Sequence, residues 1–132
     1  IGGRGIQPLI EALNDKDEGV KKNVIYSLKR IGEKIAFIPL TELLYDNNED
    51  ITIRKEALRA LVEIDEMSIY ENLIILLKDK EEEIIIREVS ARALGIIGDN
   101  QAVEPLIDVV KDKEEGIIIR KLSARAMKDF VG

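Results

Sequence analysis

Lysine and arginine side chains recur at the helical spacing i, i+4, i+7 in four separate stretches of the sequence. Twelve positions follow this spacing, and they hold eight cations and one anion, Glu88, a net charge of +7. The other 120 residues therefore carry −13, since the whole chain carries −6. Cations on one helix face can bind carboxylates or phosphates. We name nine of the twelve the basic stripe: Lys22, Tyr26, Lys29, Lys55, Arg59, Arg92, Lys121, Arg125 and Lys128.

An alternative interpretation is that neighbouring acids neutralise these cations. Acidic residues lie within reach on adjacent turns, and a solvated face of such ion pairs contributes little to stability. The acids in question are Glu33, Glu56, Glu63, Glu66, Asp99 and Asp129.

A second pattern is an aspartate followed eight residues later by an arginine, and it occurs three times. The residues are Asp46 and Arg54, Asp79 and Arg87, and Asp112 and Arg120, which we name the ladder. A row of arginines could bind an anion, or the charges could hold the fold together. We favour the structural role.

The composition excludes several kinds of chemistry. The chain has no cysteine and no histidine, which excludes disulfides, Cys/His zinc sites and His-dependent catalytic triads. The glycine-rich "IGGRG" at residues 1–5 lacks the preceding strand and the later lysine of a phosphate-binding loop, and we interpret it as a helix end. We expect no catalytic residue, no metal and no cofactor.

Length and composition predict one globular domain over residues 1–132. The chain is 45% hydrophobic, and it has neither an apolar run long enough to cross a bilayer nor a signal segment. A cytoplasmic location without membrane contact is the expectation. The net charge of −6 opposes general attraction to nucleic acid.

The sequence repeats itself at a constant period, which equals the spacing between Arg54, Arg87 and Arg120. "KEEEIIIREVSARAL" at residues 80–94 returns after one such interval as "KEEGIIIRKLSARAM" at residues 113–127. The ladder aspartates keep the same period, and the first repeat is two residues shorter in its loop. A period of this size is typical of solenoids, and it predicts four repeats at about 5–34, 35–67, 68–100 and 101–132.

Each repeat is predicted to contain two helices. Short apolar A helices begin near Pro8, Pro39, Asn72 and Pro105, with proline in the first turn. Longer B helices follow the charged loops, and their apolar residues recur at i, i+3, i+4 and i+7. We expect Gly32 and Gly98 to end B helices, whereas Asp65 takes that place in the second repeat. We expect Ile84, Ile85, Ile117 and Ile118 to pack against the neighbouring repeat.

The segment "EEEIIIREVSARALGIIGDNQAVEPLIDVV" resembles the short HEAT-like repeat that is also called the PBS-lyase HEAT-like repeat. The resemblance covers almost the whole chain and implies an all-α fold, an α-α superhelix in which the B helices line the concave surface. It also implies that each ladder aspartate pairs with its arginine across the loop and ties successive repeats together.

Three functions compete at this point. The first is a non-enzymatic scaffold that presents the basic stripe to an acidic segment of a partner protein. The second is a bilin-lyase-like or other modifying-enzyme subunit, which the resemblance implies but no residue indicates. The third is binding of nucleic acid or another polyphosphate along the stripe, which the acidic loops oppose and which lacks interleaved aromatic residues beyond Tyr26.

Both ends of the sequence resemble internal repeats. The chain opens on "IGG" without an initiating methionine, and it stops at Phe130, Val131 and Gly132 at the end of a B helix. Solenoid ends normally carry polar caps. We therefore expect a longer array, or end-to-end self-association of the chain.

Overall fold

Seven α-helices and four short 3-10 turns make up the described part of the chain, which contains no strand. The structure is a computed structural model that describes residues 2–130, apart from the side chains of residues 2–4 and 129. Expectations placed on Ile1, Val131 and Gly132 lie outside the described residues. The helices are α1 (Gly2–Glu11), α2 (Glu18–Ile31), α3 (Phe37–Leu44), α4 (Ile51–Lys78), α5 (Ile84–Ile97), α6 (Val103–Lys111) and α7 (Ile117–Ala126).

The ends of the B helices follow from local sequence. Gly32 and Gly98 adopt the left-handed conformation, with φ of 72° and 69°, directly after α2 and α5. Their N–H groups donate to the carbonyls of Leu28 and Leu94, which confirms the prediction that glycine ends these helices. In α4 the corresponding residue, Asp65, is non-helical with φ −158° and ψ 85°, so α4 consists of a B helix and an A helix separated at that residue.

The prediction that proline lies in the first turn of the A helices is confirmed for two of the three prolines. Pro39 and Pro105 are the third residues of α3 and α6. Pro8 instead lies inside α1, where the prediction was wrong. The interpretation of "IGGRG" as the end of a preceding helix is also wrong for residues 2–5, which form the start of α1. A proline removes only one hydrogen bond, to residue i−4, and Gly2, Gly3 and Gly5 lower the helix propensity ahead of Pro8 without ending α1.

The chain divides into two compact units, Ile1–Glu66 and Met67–Gly132. The first contains α1 to α3 and the first part of α4, and the second contains the rest of α4 with α5 to α7. In the second unit α7 packs against both α5 and α6. The fully buried core residues in the first unit include Leu28, Leu40, Leu44, Ile53, Leu58 and Leu61, and in the second Ile69, Leu73, Leu77, Ile86, Leu94, Leu106 and Ile119.

The isoleucine triplets at the start of α5 and α7 are mostly exposed. Ile84, Ile117 and Ile118 are 50%, 59% and 51% exposed, so the prediction that they pack against a neighbouring repeat was wrong for these three, whereas Ile85 is partly buried. Successive residues on a helix point about 100° apart, so a triplet at a helix start directs only one side chain fully inward. Ile86 and Ile119 take that position and are fully buried. None of the described helices is long and apolar enough to cross a membrane.

Candidate partner-binding face

The ladder arginines cap the A helix of their own repeat. Nε of Arg54 donates to the carbonyl of Leu44 at 2.6 Å, and Nε of Arg120 donates to that of Val110 at 3.0 Å. Arg87 donates to Leu77 through Nε at 3.0 Å and Nη2 at 2.7 Å. The last carbonyls of a helix have no donor within the helix, so these arginines satisfy groups that would otherwise be unpaired.

The acidic partner of Arg87 is not the predicted Asp79. Its guanidinium donates to both carboxylate oxygens of Glu115, with Nη1 to Oε1 at 2.8 Å and Nη2 to Oε2 at 2.5 Å. Both side chains are 6% exposed. Asp79 instead accepts the N–H of Glu81 at 2.9 Å and so shapes the turn between helices. The predicted Asp79–Arg87 pairing was therefore wrong.

The other ladder aspartates also belong to turns. Asp46 accepts the N–H of Asn48 at 2.9 Å, and Asp112 accepts that of Glu114 at 3.0 Å. No hydrogen bond joins Asp112 to Arg120 in the described structure, and the carboxylate of Asp112 pairs with Nζ of Lys80 at 2.7 Å instead. A short aspartate side chain reaches the amide two residues ahead more easily than a guanidinium anchored on its own helix.

The pairs in the second unit shift the pKa values of their members. The hydrogen bonds from Arg87 lower the pKa of Glu115 below its ordinary value, although partial burial opposes this shift. The hydrogen bond between Lys80 and Asp112 lowers the pKa of Asp112 and raises the pKa of Lys80. All three groups are therefore charged at neutral pH.

An ion pair of the same spacing joins two repeats of the first unit. Nζ of Lys21 lies 2.6 Å from Oε2 of Glu49. These two residues are 28 positions apart in the chain, as are Arg87 and Glu115. Lys21 occupies the place of the ladder arginines in the first repeat. Sequence reasoning missed these acids, although Glu49, Glu82 and Glu115 recur at the repeat period and could have been noticed.

The basic stripe of the first unit is partly engaged with its own neighbours. Nζ of Lys29 lies 5.2 Å from the ring centroid of Tyr26, a cation–π distance. Lys55 and Arg59 each approach Oε1 of Glu56 at 3.8 Å. Tyr26 is 55% exposed, and Lys22 is also exposed on α2. In the first unit, the predicted alternative that neighbouring acids neutralise the stripe cations therefore applies to Lys55 and Arg59.

The basic stripe of the second unit is exposed to solvent. Arg92 on α5, Lys121 and Arg125 on α7, and Lys128 in the turn after α7 are all exposed. Among the side chains that the structure describes, no carboxylate forms an ion pair with any of the four. The predicted neutralisation by Asp99 is therefore absent here, since its carboxylate accepts the N–H of Gln101 at 2.9 Å, whereas the prediction on Asp129 falls on a side chain outside the described ones.

Three of these cations border one cleft. Arg92, Arg125 and Lys128 surround a volume of about 420 Å³ between α5 and the end of α7. Its remaining lining consists of small and apolar residues, Gly95, Ile96, Leu122 and Ala126. Lys121 is not among the lining residues. The structure thus brings together three residues that the sequence placed on one stripe only by helical spacing.

Gly95 fixes the close approach of α5 to the end of α7. A Cβ atom at this position would lie 2.9 Å from Cα of Ala126 and 3.0 Å from its carbonyl oxygen. Real Cβ atoms do not come so near to backbone, so only glycine permits this packing. The floor of the cleft is consequently formed close to the backbone of both helices.

Helices recur in pairs along the chain, and the second helix of each pair presents charged side chains. This arrangement defines an all-α solenoid protein. The family profile for HEAT repeats matches residues 45–128, well over half of the chain. The chain therefore belongs to the HEAT-repeat family, whose members generally act as protein-interaction scaffolds. Comparison with curated proteins finds no match.

Proposed function

We propose that the chain is a non-enzymatic protein-interaction module whose basic stripe binds an acidic segment of a partner protein. One observation carries this proposal. Arg92, Arg125 and Lys128 surround one cleft of the second unit, and none forms an ion pair with a described carboxylate. Cations held together without counter-charges attract a segment that supplies carboxylates.

The acids of the second unit support the same conclusion, because several of them are already engaged elsewhere. Glu115 is held by Arg87, Asp112 by Lys80, and Asp108 lies 3.6 Å from Lys78. These three acids are therefore directed away from the stripe cations. A partner must bring its own carboxylates if these cations are to be neutralised.

We assign the repeats to the short, PBS-lyase type of HEAT-like repeat on the constant repeat period and on "REVSARALGIIGD" at residues 87–99. Bilin-lyase-like activity is the alternative function, because the resemblance to this subtype implies it. We rank interaction first because it is the general role of HEAT repeats and because the unpaired cations account for binding without any reaction. A cytoplasmic location and end-to-end self-association are further parts of the proposal.

A pull-down experiment tests the proposed function. The chain would be immobilised and incubated with lysate, both untreated and nuclease-treated, alongside the double variant Arg92→Glu, Arg125→Glu. The matched control is Lys111→Glu, Lys113→Glu, which reverses two exposed cations of the same unit outside the basic stripe. We expect acidic proteins to be retained by the wild type and the control and lost by the stripe variant.

Two results would contradict the proposal. One is equal retention by all three proteins, which would remove the basic stripe from the interaction. The other is binding that depends on nucleic acid and disappears with nuclease, which would favour polyphosphate binding along the same residues.

A further inference from the structure

The cleft of the second unit combines positive charge with an uncovered apolar surface. Ile96 is 82% exposed, the highest value among the exposed large hydrophobic residues of the described chain. It lines the cleft together with the partly exposed Leu122. A large aliphatic side chain exposed to water next to a cluster of cations marks a surface suited to a partner that carries both an apolar side chain and negative charge.

The volume of the cleft is large enough for a side chain of a partner. About 420 Å³ falls within the range of roughly 300–1,000 Å³ that is usual for ligand pockets. Gly95 contributes no side chain to fill it, and the contact of Gly95 with Ala126 keeps its floor near the two backbones. The lining thus combines small and apolar residues with three cations.

We propose that this cleft receives one large apolar side chain, leucine or phenylalanine, from a partner segment whose flanking carboxylates bind Arg92, Arg125 and Lys128. This inference rests on the proposed function and deepens it, because it specifies which acidic segments bind. Charge complementarity favours an acidic peptide. The apolar lining favours, among acidic peptides, those with a large apolar side chain. No described residue that lines the cleft is acidic, so the described lining opposes the flanking carboxylates with no like charge.

A peptide is favoured over a nucleic acid by the lining itself. The cleft contains no aromatic side chain among its described lining residues on which a base could stack. An aliphatic wall formed by Ile96 and Leu122 matches a hydrocarbon side chain better than a sugar-phosphate backbone. Binding of an oligonucleotide is therefore an outcome that the experiment must be able to reveal.

Fluorescence anisotropy with labelled acidic peptides that differ only at one central residue tests the inference. We expect the leucine and phenylalanine peptides to bind the wild type about tenfold more tightly than the serine peptide. The variant Ile96→Ser should lose this preference while still binding the serine peptide. The control Ile75→Ser changes an isoleucine that is 64% exposed on α4 in the same unit and should keep the preference. Both isoleucines are exposed, so neither change should unfold the protein.

The possible failures are distinguishable. Equal binding of the leucine and serine peptides, or an unchanged preference in Ile96→Ser, would overturn the apolar subsite and leave the acidic partner intact. If none of the peptides binds, the proposed function fails together with the inference. Binding of a labelled oligonucleotide in preference to every peptide would overturn the assigned class of partner.

Discussion

Arg87 holds one buried carboxylate and one helix end at the same time. Because its guanidinium contacts Glu115 and the carbonyl of Leu77, replacing it leaves the helix-end carbonyl without this donor and the buried carboxylate without its cation, with the N–H of Gly116 still donating to Glu115. Arg120 occupies the same place in the next repeat and donates to Val110, and no carboxylate forms an ion pair with it in the described structure. Comparing variants of the two arginines therefore separates the stability contributed by the ion pair from the stability contributed by the hydrogen bond to the helix end.

We predict that Arg87→Ala lowers the free energy of unfolding by about 3 kcal/mol, since it leaves a buried carboxylate unpaired. Arg120→Ala, the matched control, should cost only about 1 kcal/mol, since it removes a single hydrogen bond to a helix end. Urea unfolding followed by circular dichroism measures both. Equal losses in the two variants would show that Glu115 adds nothing to the stability.

The same pair makes stability depend on pH. The pKa of Glu115 is lower in the folded protein than its ordinary value of 4.5, so the unfolded chain binds the proton more readily. The stabilisation is therefore present above about pH 4.5 and is lost as the pH falls through the folded pKa.

Comparison with Glu115→Gln isolates this effect from the other acids. We expect the wild type to be the more stable protein at pH 7 and the difference to shrink steadily below about pH 4.5. Unfolding in urea at a series of pH values checks this. A difference that stays constant down to about pH 3 would exclude a stabilising carboxylate at this position.

At the scale of the helices, Gly95 decides how closely α5 and α7 pack. Alanine is the better helix former by about 1 kcal/mol, and by that criterion alone Gly95→Ala would stabilise α5. The new Cβ would however lie 2.9 Å from Cα of Ala126, and the strain of forcing two helices apart is about 1–3 kcal/mol. We predict a net loss of stability of about 1 kcal/mol.

Gly116→Ala serves as the control for this prediction. Gly116 precedes α7 with φ −61°, and a Cβ there would meet nothing within 4 Å. Its replacement should change stability by no more than about 0.5 kcal/mol. Thermal unfolding of both variants provides the comparison. A stabilised Gly95→Ala protein would mean that the two helices can separate without loss.

Much of the helical organisation could be predicted from the sequence. The repeat period located the helix pairs, and the left-handed residues Gly32 and Gly98 ended the helices where expected. Those features depend on residues close together in the chain. Pro8 and Asp65 are different, because whether α1 continues past a proline, or α4 is interrupted at an aspartate, depends on packing around them.

The ion pairs show the limit of the sequence more clearly. The sequence identified Arg87 as structural but assigned it to Asp79, which is nearer in the chain, whereas Glu115 is 28 positions away. Contacts between repeats are set by how two helix pairs stack, and one repeat considered alone does not contain that information. The cleft was likewise beyond prediction, although Arg92 and Arg125 were recognised as members of one stripe.

At the scale of the whole molecule, the chain is acidic but carries the basic stripe on its B helices and the turn after α7. A net charge of −6 keeps such a protein away from polyanions in general, so selective binding of an acidic segment requires a local arrangement of positive charge. The first unit neutralises part of its stripe through Glu56 and Tyr26. The stripe cations of the second unit form no ion pair with a described carboxylate, and we assign the stronger binding to that unit.

The most direct test measures affinity and stability on the same samples. A labelled acidic peptide would be titrated into the wild type, into Arg92→Glu, Arg125→Glu, and into the control Lys111→Glu, Lys113→Glu, with thermal unfolding recorded for each. We predict that the stripe variant loses binding at least about tenfold while its stability changes by less than about 1 kcal/mol, since exposed charges contribute little to folding. The control should bind as the wild type does. Unchanged affinity in the stripe variant, or a large loss of its stability, would contradict the conclusion that these cations serve a partner rather than the fold.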